Sequence, residues 1–219
     1  MSLDRSSYGA VAIVYLLSAV ALAVVFLITG NPIVRGIAVA LAVGFCLWQT
    51  SFHSVPKRKC TASGREVVSV ADGRVVAVKK MMEREYLCRE CIMVSVYMDF
   101  WDMHANFWPL SGEIAYTMYH EGKHFLAFHP KASDENEHAC MCVRTPDGKE
   151  VFFKLLAGGF ARRISCYGKE GDRVNAGEQC GIIKFGSRVD MFLPLDSQIL
   201  VKKGQYVRAC TDAIARLPI

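Results

Sequence analysis

The chain has 219 residues, 52% hydrophobic and 21% charged, and 26 Lys and Arg against 21 Asp and Glu leave a net charge of +5. That much apolar material builds a packed core, which excludes a disordered or fibrous chain. The basic excess could suit a partner such as nucleic acid, but Arg5, Arg35, Lys57, Arg58 and Lys59 against Asp4 place +4 of it in the first 59 residues.

The hydrophobicity is concentrated in the same place. Ala10 to Thr29 is a run of 20 uncharged residues, enough at about 1.5 Å per residue to cross a hydrocarbon core of about 30 Å as a helix. Gly30, Asn31 and Pro32 break it, and Gly36 to Trp48 forms a second, shorter apolar run. Residues 1–59 are therefore expected to be a membrane-anchoring helical hairpin, with the second run either spanning or re-entrant. A cleaved secretory signal is disfavoured by Asp4 beside Arg5, by the lack of an Ala-x-Ala site after the first run and by the second run itself. Lys57, Arg58 and Lys59 place that end, and with it the N-terminus, on the cytoplasmic face of the cell membrane, where they would meet anionic lipid. Nucleic acid is not needed as a partner.

The nine cysteines are scattered and odd in number, so no disulfide framework is implied. Cys88 and Cys91 form a lone C-x-x-C. Without a second pair, core packing is favoured over zinc, and no metal site is expected.

Beyond residue 60 the pattern becomes short β-branched runs separated by turns: Val67 to Val70, Val75 to Val78, Cys91 to Met98, Glu113 to Met118, Ala139 to Arg144 and Glu150 to Leu156, the last two joined by Pro146-Asp147-Gly148. Residues 60–219 are read as one mainly β soluble domain. A repeat lies within it. Lys169 to Ala176 aligns with Lys202 to Ala209, each copy having a turn glycine, a valine three residues on and an alanine two further. The pattern resembles the hammerhead hairpins of lipoyl and biotinyl carrier domains. Lys79-Lys80-Met81 lacks the Ala-Met-Lys-Met context of a carrier lysine, so a carrier function is disfavoured.

Between the repeat copies, Phe185-Gly186-Ser187-Arg188-Val189-Asp190-Met191-Phe192-Leu193-Pro194 resembles the self-cleavage segment of the short, membrane-associated phosphatidylserine decarboxylases. Further blocks match the family in order: Ala71-Asp72-Gly73, Asp102-Met103-His104, Lys131-Ala132-Ser133 with Asn136-Glu137, and Ala157-Gly158-Gly159-Phe160-Ala161-Arg162-Arg163-Ile164. The resemblance covers nearly the whole chain.

It implies a proenzyme that cuts itself between Gly186 and Ser187 into chains 1–186 and 187–219, which stay associated. Ser187 Oγ attacks the Gly186 carbonyl, the resulting ester undergoes β-elimination, and residue 187 becomes a covalent pyruvoyl group, with no metal involved. A serine hydroxyl needs an oriented base, and by resemblance His104 is the base and Asp72 its orienter. The pyruvoyl carbonyl then condenses with the amine of phosphatidylserine and accepts the electrons released with CO2, giving phosphatidylethanolamine. Asn136, Lys131, Arg162 and Arg163 are candidates for holding the headgroup, with structural pairing an equal alternative.

The chain departs from the family at Phe107 and His138, where arginines are common, and at the junction around Gln49 to Pro56. These departures bear on the headgroup and leave the cleavage chemistry intact. Two other readings compete: a non-catalytic, membrane-anchored lipoyl-like adaptor in which Gly186-Ser187 stays intact, and a pyruvoyl decarboxylase for another headgroup. A homo-oligomer is compatible with all three.

Overall fold

The computed structural model describes residues 2–62, 64–122, 136–158, 164–184 and 187–219, and its internal contacts divide the chain into Met1–Pro56 and Lys57–Ile219. In the first unit, α1 (Tyr8–Ile28) and α2 (Pro32–Phe52) are each 21 residues long. The second helix is longer than the apolar run from Gly36 suggested, because Pro32 at its first turn and the Asn31 side chain, which accepts from Ile33 N–H, start it early. Arg35 is not left in an apolar setting: its guanidinium donates to the Thr29 and Phe26 carbonyls at the C-terminal end of α1. Leu16, Leu17, Leu27, Ile33 and Leu41 are exposed, and both helices are long and apolar enough to cross a membrane. β1 (Ser2–Leu3) pairs with β2 (Ser54–Val55), so the two ends of the hairpin meet.

The second unit is built of strands. They are β3 (Glu66–Val68), β4 (Gly73–Glu83), β5 (Arg89–Met98), β6 (Ala105–Phe107), β7 (Gly112–His120), β8 (His138–Arg144) and β9 (Glu150–Ala157). Then come β10 (Ile164–Cys166), β11 (Arg173–Val174), β12 (Gln179–Ile183), β13 (Ser187–Leu193), β14 (Gln198–Ile199), β15 (Tyr206–Val207) and β16 (Ala213–Arg216). The expected runs are strands except that β3 ends at Val68, leaving Ser69 and Val70 outside it, and Gly148, with φ +81, closes the β8–β9 turn. One antiparallel eight-stranded sheet has the order β11-β7-β8-β9-β13-β5-β4-β15, and two three-stranded sheets, β10-β12-β6 and β14-β16-β3, complete the unit.

The sequence repeat is a structural one. β11 pairs with the start of β7 at one edge of the large sheet, and β15 with the start of β4 at the other. The turn glycines Gly171 and Gly204 have φ +86 and +90, and their N–H groups donate to Ile114 and Val75 carbonyls respectively. Val174 and Val207 are buried. The following turn needs a positive φ in both copies, supplied by Gly177 in the first and, at the expense of a side chain in a left-handed conformation, by Cys210 in the second. Ser111 Oγ accepts from Ala176 N–H in one copy, and Asp72 accepts from Ala209 N–H in the other. The same scaffold position thus carries a neutral hydroxyl on one side and a carboxylate on the other.

Strand alternation sends side chains of β13 to opposite faces. Val189, Met191 and Leu193 join the main core, and Phe192 joins a second cluster with Cys91, Met93, Cys140, Cys142 and Phe152. Lys79 and Lys80 lie inside β4, paired with Met93 and Ile92, and not at a hairpin tip, which removes the geometry of a carrier lysine.

Candidate functional site

Ser187 opens β13 and is held from both sides, opposite Met98 at the end of β5 and Ala157 at the end of β9. It is fully buried, and its Oγ has no hydrogen-bond partner among the described residues. A buried hydroxyl in that state is costly. Gly186, on the other side of the expected scissile bond, lies outside the described residues, as do Lys131, Arg162 and Arg163.

Three further elements bring the remaining expected residues to the same end of the sheet. Ile183 N–H, at the end of β12, donates to the His104 carbonyl at 3.2 Å, which sets His104 beside the end of β12. Phe107 N–H donates to the Val70 carbonyl, so β6 runs next to the Ala71-Asp72-Gly73 turn. Arg74 and Arg188 both face Tyr97 across β5, which puts the start of β4 and the start of β13 at one level, separated by a single strand. Gly73 is obligatory there: a Cβ would stand 2.2 Å from the Tyr97 carbonyl oxygen, and φ is +152.

His104 is fully buried. Its Nδ1 lies 2.8 Å from the Asp102 carbonyl oxygen, which only accepts, so Nδ1 carries the proton and Nε2 is the basic nitrogen of the neutral ring. Asp102 is itself tied down by Asp99 and by Tyr206, whose hydroxyl donates to Oδ1 at 2.6 Å. Burial pushes the Asp102 carboxyl above its ordinary range and the Tyr206 phenol well above its own.

Asp72 is 6% exposed, and its carboxylate is gripped by the Arg58 guanidinium in a two-pronged pair at 2.5 and 2.7 Å, with Ala209 N–H as a third donor at 2.8 Å. The pairing hydrogen bond raises the Arg58 pKa. The expectation that Arg58 serves the membrane surface with Lys57 and Lys59 is therefore corrected: Arg58 is committed to Asp72, and Lys57 and Lys59 stay exposed. Arg58→Ala leaves a buried carboxylate short of its main partner, and a loss of about 2–3 kcal/mol is expected in urea unfolding.

Asn136 is fully buried. Its Nδ2 donates to the Ala157 carbonyl at 2.7 Å, and Ala157 is the residue opposite Ser187. Two residues of this end were not singled out from sequence. Arg58 hid in a charge run. Asn106 is fully buried, with Nδ2 on the Met98 sulfur at 3.8 Å and no partner for Oδ1 among the described residues. Phe107 is also buried, so the position of a common family arginine faces the interior here.

Comparison with known proteins gives a consistent result. The family model for phosphatidylserine decarboxylase matches residues 45–215. A phosphatidylserine decarboxylase proenzyme of Amoebophilus asiaticus is 41% identical over 194 residues, 87% of this chain and 86% of the relative. Those of Porphyromonas gingivalis and Salinibacter ruber are 36% and 38% identical, covering 88% and 84% of this chain and 88% and 82% of their own lengths.

Proposed function

The chain belongs to the phosphatidylserine decarboxylase family, and from that premise we propose that it converts phosphatidylserine to phosphatidylethanolamine and CO2 after cutting itself between Gly186 and Ser187. The observation that carries this reading is the Ser187 hydroxyl, buried without a partner among the described residues at the sheet end shared with His104 and Asp72.

In the cleavage step, His104 Nε2 takes the Ser187 Oγ proton as the oxygen bonds to the Gly186 carbonyl carbon. The Asn106 amide is assigned the role of steadying the negative charge on the former carbonyl oxygen. Transfer of the proton to the Gly186–Ser187 nitrogen breaks the peptide and leaves an ester. Removal of the Ser187 Cα proton expels the Gly186 carboxylate, and water then releases the nitrogen as ammonia. His104 becomes cationic during the transfer, and the Asp72 carboxylate, paired with Arg58, is assigned the role of favouring that charge. The Asp102 carbonyl orients the ring. Asn136 and Glu137 hold the strand end opposite: Ala157 receives the Asn136 amide and donates its own N–H to the Glu137 carbonyl.

The orphaned Ser187 hydroxyl fits a covalent pyruvoyl group formed from that residue, and such a group supplies an electron sink for decarboxylation. His104 is assigned as the proton donor to the carbon that loses CO2.

Residues Met1–Pro56 are assigned as the membrane anchor, a helical hairpin with both ends at the cytoplasmic face, and Lys57–Ile219 as the catalytic unit. The paired hairpins at the two sheet edges are read as hammerhead hairpins of the lipoyl and biotinyl kind. A lipid substrate is further supported by the loop joining Met98, opposite Ser187, to His104. It carries Phe100 and Trp101, exposed by 40% and 82%, and exposed aromatic side chains suit a lipid headgroup region. Trp101→Ala should lower turnover of phosphatidylserine in vesicles about tenfold while leaving turnover of a short-chain, monomeric analogue unchanged. Equal losses on both substrates contradict this.

Purified protein given phosphatidylserine should release CO2 and phosphatidylethanolamine in equal amounts. Release from another aminophospholipid but not from phosphatidylserine would assign the site to a different headgroup.

A further inference from the structure

Period-two alternation puts His138 and Cys140 on the same face of β8, and the β7–β8 register sets His120 directly across from His138, with the two rings stacked at 4.6 Å. Glu85, from the turn after β4, closes over them. Its Oε1 is 2.7 Å from His120 Nε2, and its Oε2 is 3.2 Å from Cys140 Sγ and 4.0 Å from His138 Nε2. One ligand atom from each of the four lies within 4.8 Å of all the others. Ligands at about 2.0–2.3 Å around a tetrahedral ion stand about 3.3–3.8 Å apart, so small side-chain shifts close such a shell.

Two features set this group apart from an ordinary ion-pair cluster. His138 is 7% exposed and its Nδ1 donates to the Asn136 carbonyl at 2.6 Å, which fixes the ring and leaves Nε2 as a lone-pair donor turned to the cluster. Cys140 is fully buried beside it, although neither a thiol nor a second imidazole is needed to satisfy the Glu85–Lys154 pair at 2.8 Å.

We propose that Glu85, His120, His138 and Cys140 form a site for a borderline divalent cation of the zinc class, against the sequence expectation of no metal. One sulfur, two imidazole nitrogens and one carboxylate oxygen match that class. Lys154 keeps Glu85 Oε2, and the ion takes Oε1. Binding releases the Cys140 proton to solvent and moves the His120 proton from Nε2 to Nδ1, with no redox change. The site is structural, since four protein ligands leave no open position. It joins β7, β8 and the Glu85 turn, and through the Asn136 carbonyl it steadies the strand end whose Ala157 faces Ser187. His138 is one of the two places where the chain departs from the family's common arginine, so the site is a feature of this chain and is independent of which lipid is decarboxylated.

The test uses the full chain, without a histidine tag, stripped with a chelator and titrated with Co2+. One equivalent should produce a near-ultraviolet thiolate-to-cobalt band and tetrahedral visible bands, both removed by Zn2+. The near-ultraviolet band should vanish in Cys140→Ser and persist in Cys88→Ser. Half-exposed His120 gives a variant that is expected to fold: His120→Ala should weaken Co2+ binding at least about tenfold and should lose the rise in Tm that Zn2+ gives the wild type. A titration without a thiolate band, a band that survives in Cys140→Ser, or equal Zn2+ stabilisation of wild type and His120→Ala overturns the proposal.

Discussion

Ser187→Ala yields a single chain of 24.3 kDa with no decarboxylase activity. Alanine has neither a hydroxyl to attack the Gly186 carbonyl nor an oxygen to leave in the elimination, so both steps fail together. The fold should survive. The Ser187 Oγ has no partner among the described residues, and removing such a group costs little or stabilises, so the uncleaved variant should unfold within about 1 kcal/mol of an uncleaved wild-type chain. Ser187→Thr keeps a hydroxyl but adds a methyl at a fully buried position between Met98 and Ala157. It should cleave slowly, which separates loss of chemistry from loss of space.

His104→Gln should slow self-cleavage by about 10²–10⁴, the usual contribution of a positioned base, measured as the appearance of the 187–219 fragment over time. Glutamine approximates the volume of the ring and can still donate to the Asp102 carbonyl, but it has no nitrogen that accepts a proton near neutral pH. A cleavage rate within twofold of wild type would remove His104 from the base role. Asp72→Asn should have a smaller effect. It keeps an acceptor for Ala209 N–H and the Arg58 guanidinium while deleting the charge assigned to favour the histidine cation.

Local pattern made the helical hairpin, the strands and the repeated turn legible, because each is dictated by residues close in sequence. Pro32 moved the start of α2 ahead of its apolar run, since capping rather than hydrophobicity decides where a helix begins. The meaning of the repeat was partly hidden. Only pairing across the sheet shows that Asp72 and Ser111 occupy equivalent places, one charged and one neutral. Ser187, His104 and Asp72 stand 83 and 32 residues apart in sequence, and it was the family resemblance, not spacing, that grouped them. Arg58 was misassigned because a Lys-Arg-Lys run after an apolar segment has the composition of a membrane-surface patch, and nothing local shows that its middle residue turns to a carboxylate 14 positions on. The Glu85 cluster was invisible for a related reason. Its ligands come from three separate stretches, and the only spacing signal in the sequence, Cys88-x-x-Cys91, belongs to other residues. In the structure Cys88 is exposed and Cys91 is buried at the start of β5.

The most direct measurement is the intact mass of the purified wild-type protein before and after borohydride. The account requires two fragments, 1–186 and 187–219, with the smaller one resistant to Edman degradation and gaining two hydrogens on reduction as a carbonyl at its N-terminus becomes an alcohol. A single uncleaved chain in a preparation that releases CO2 from phosphatidylserine, or a small fragment that begins with a free serine amine, would contradict it.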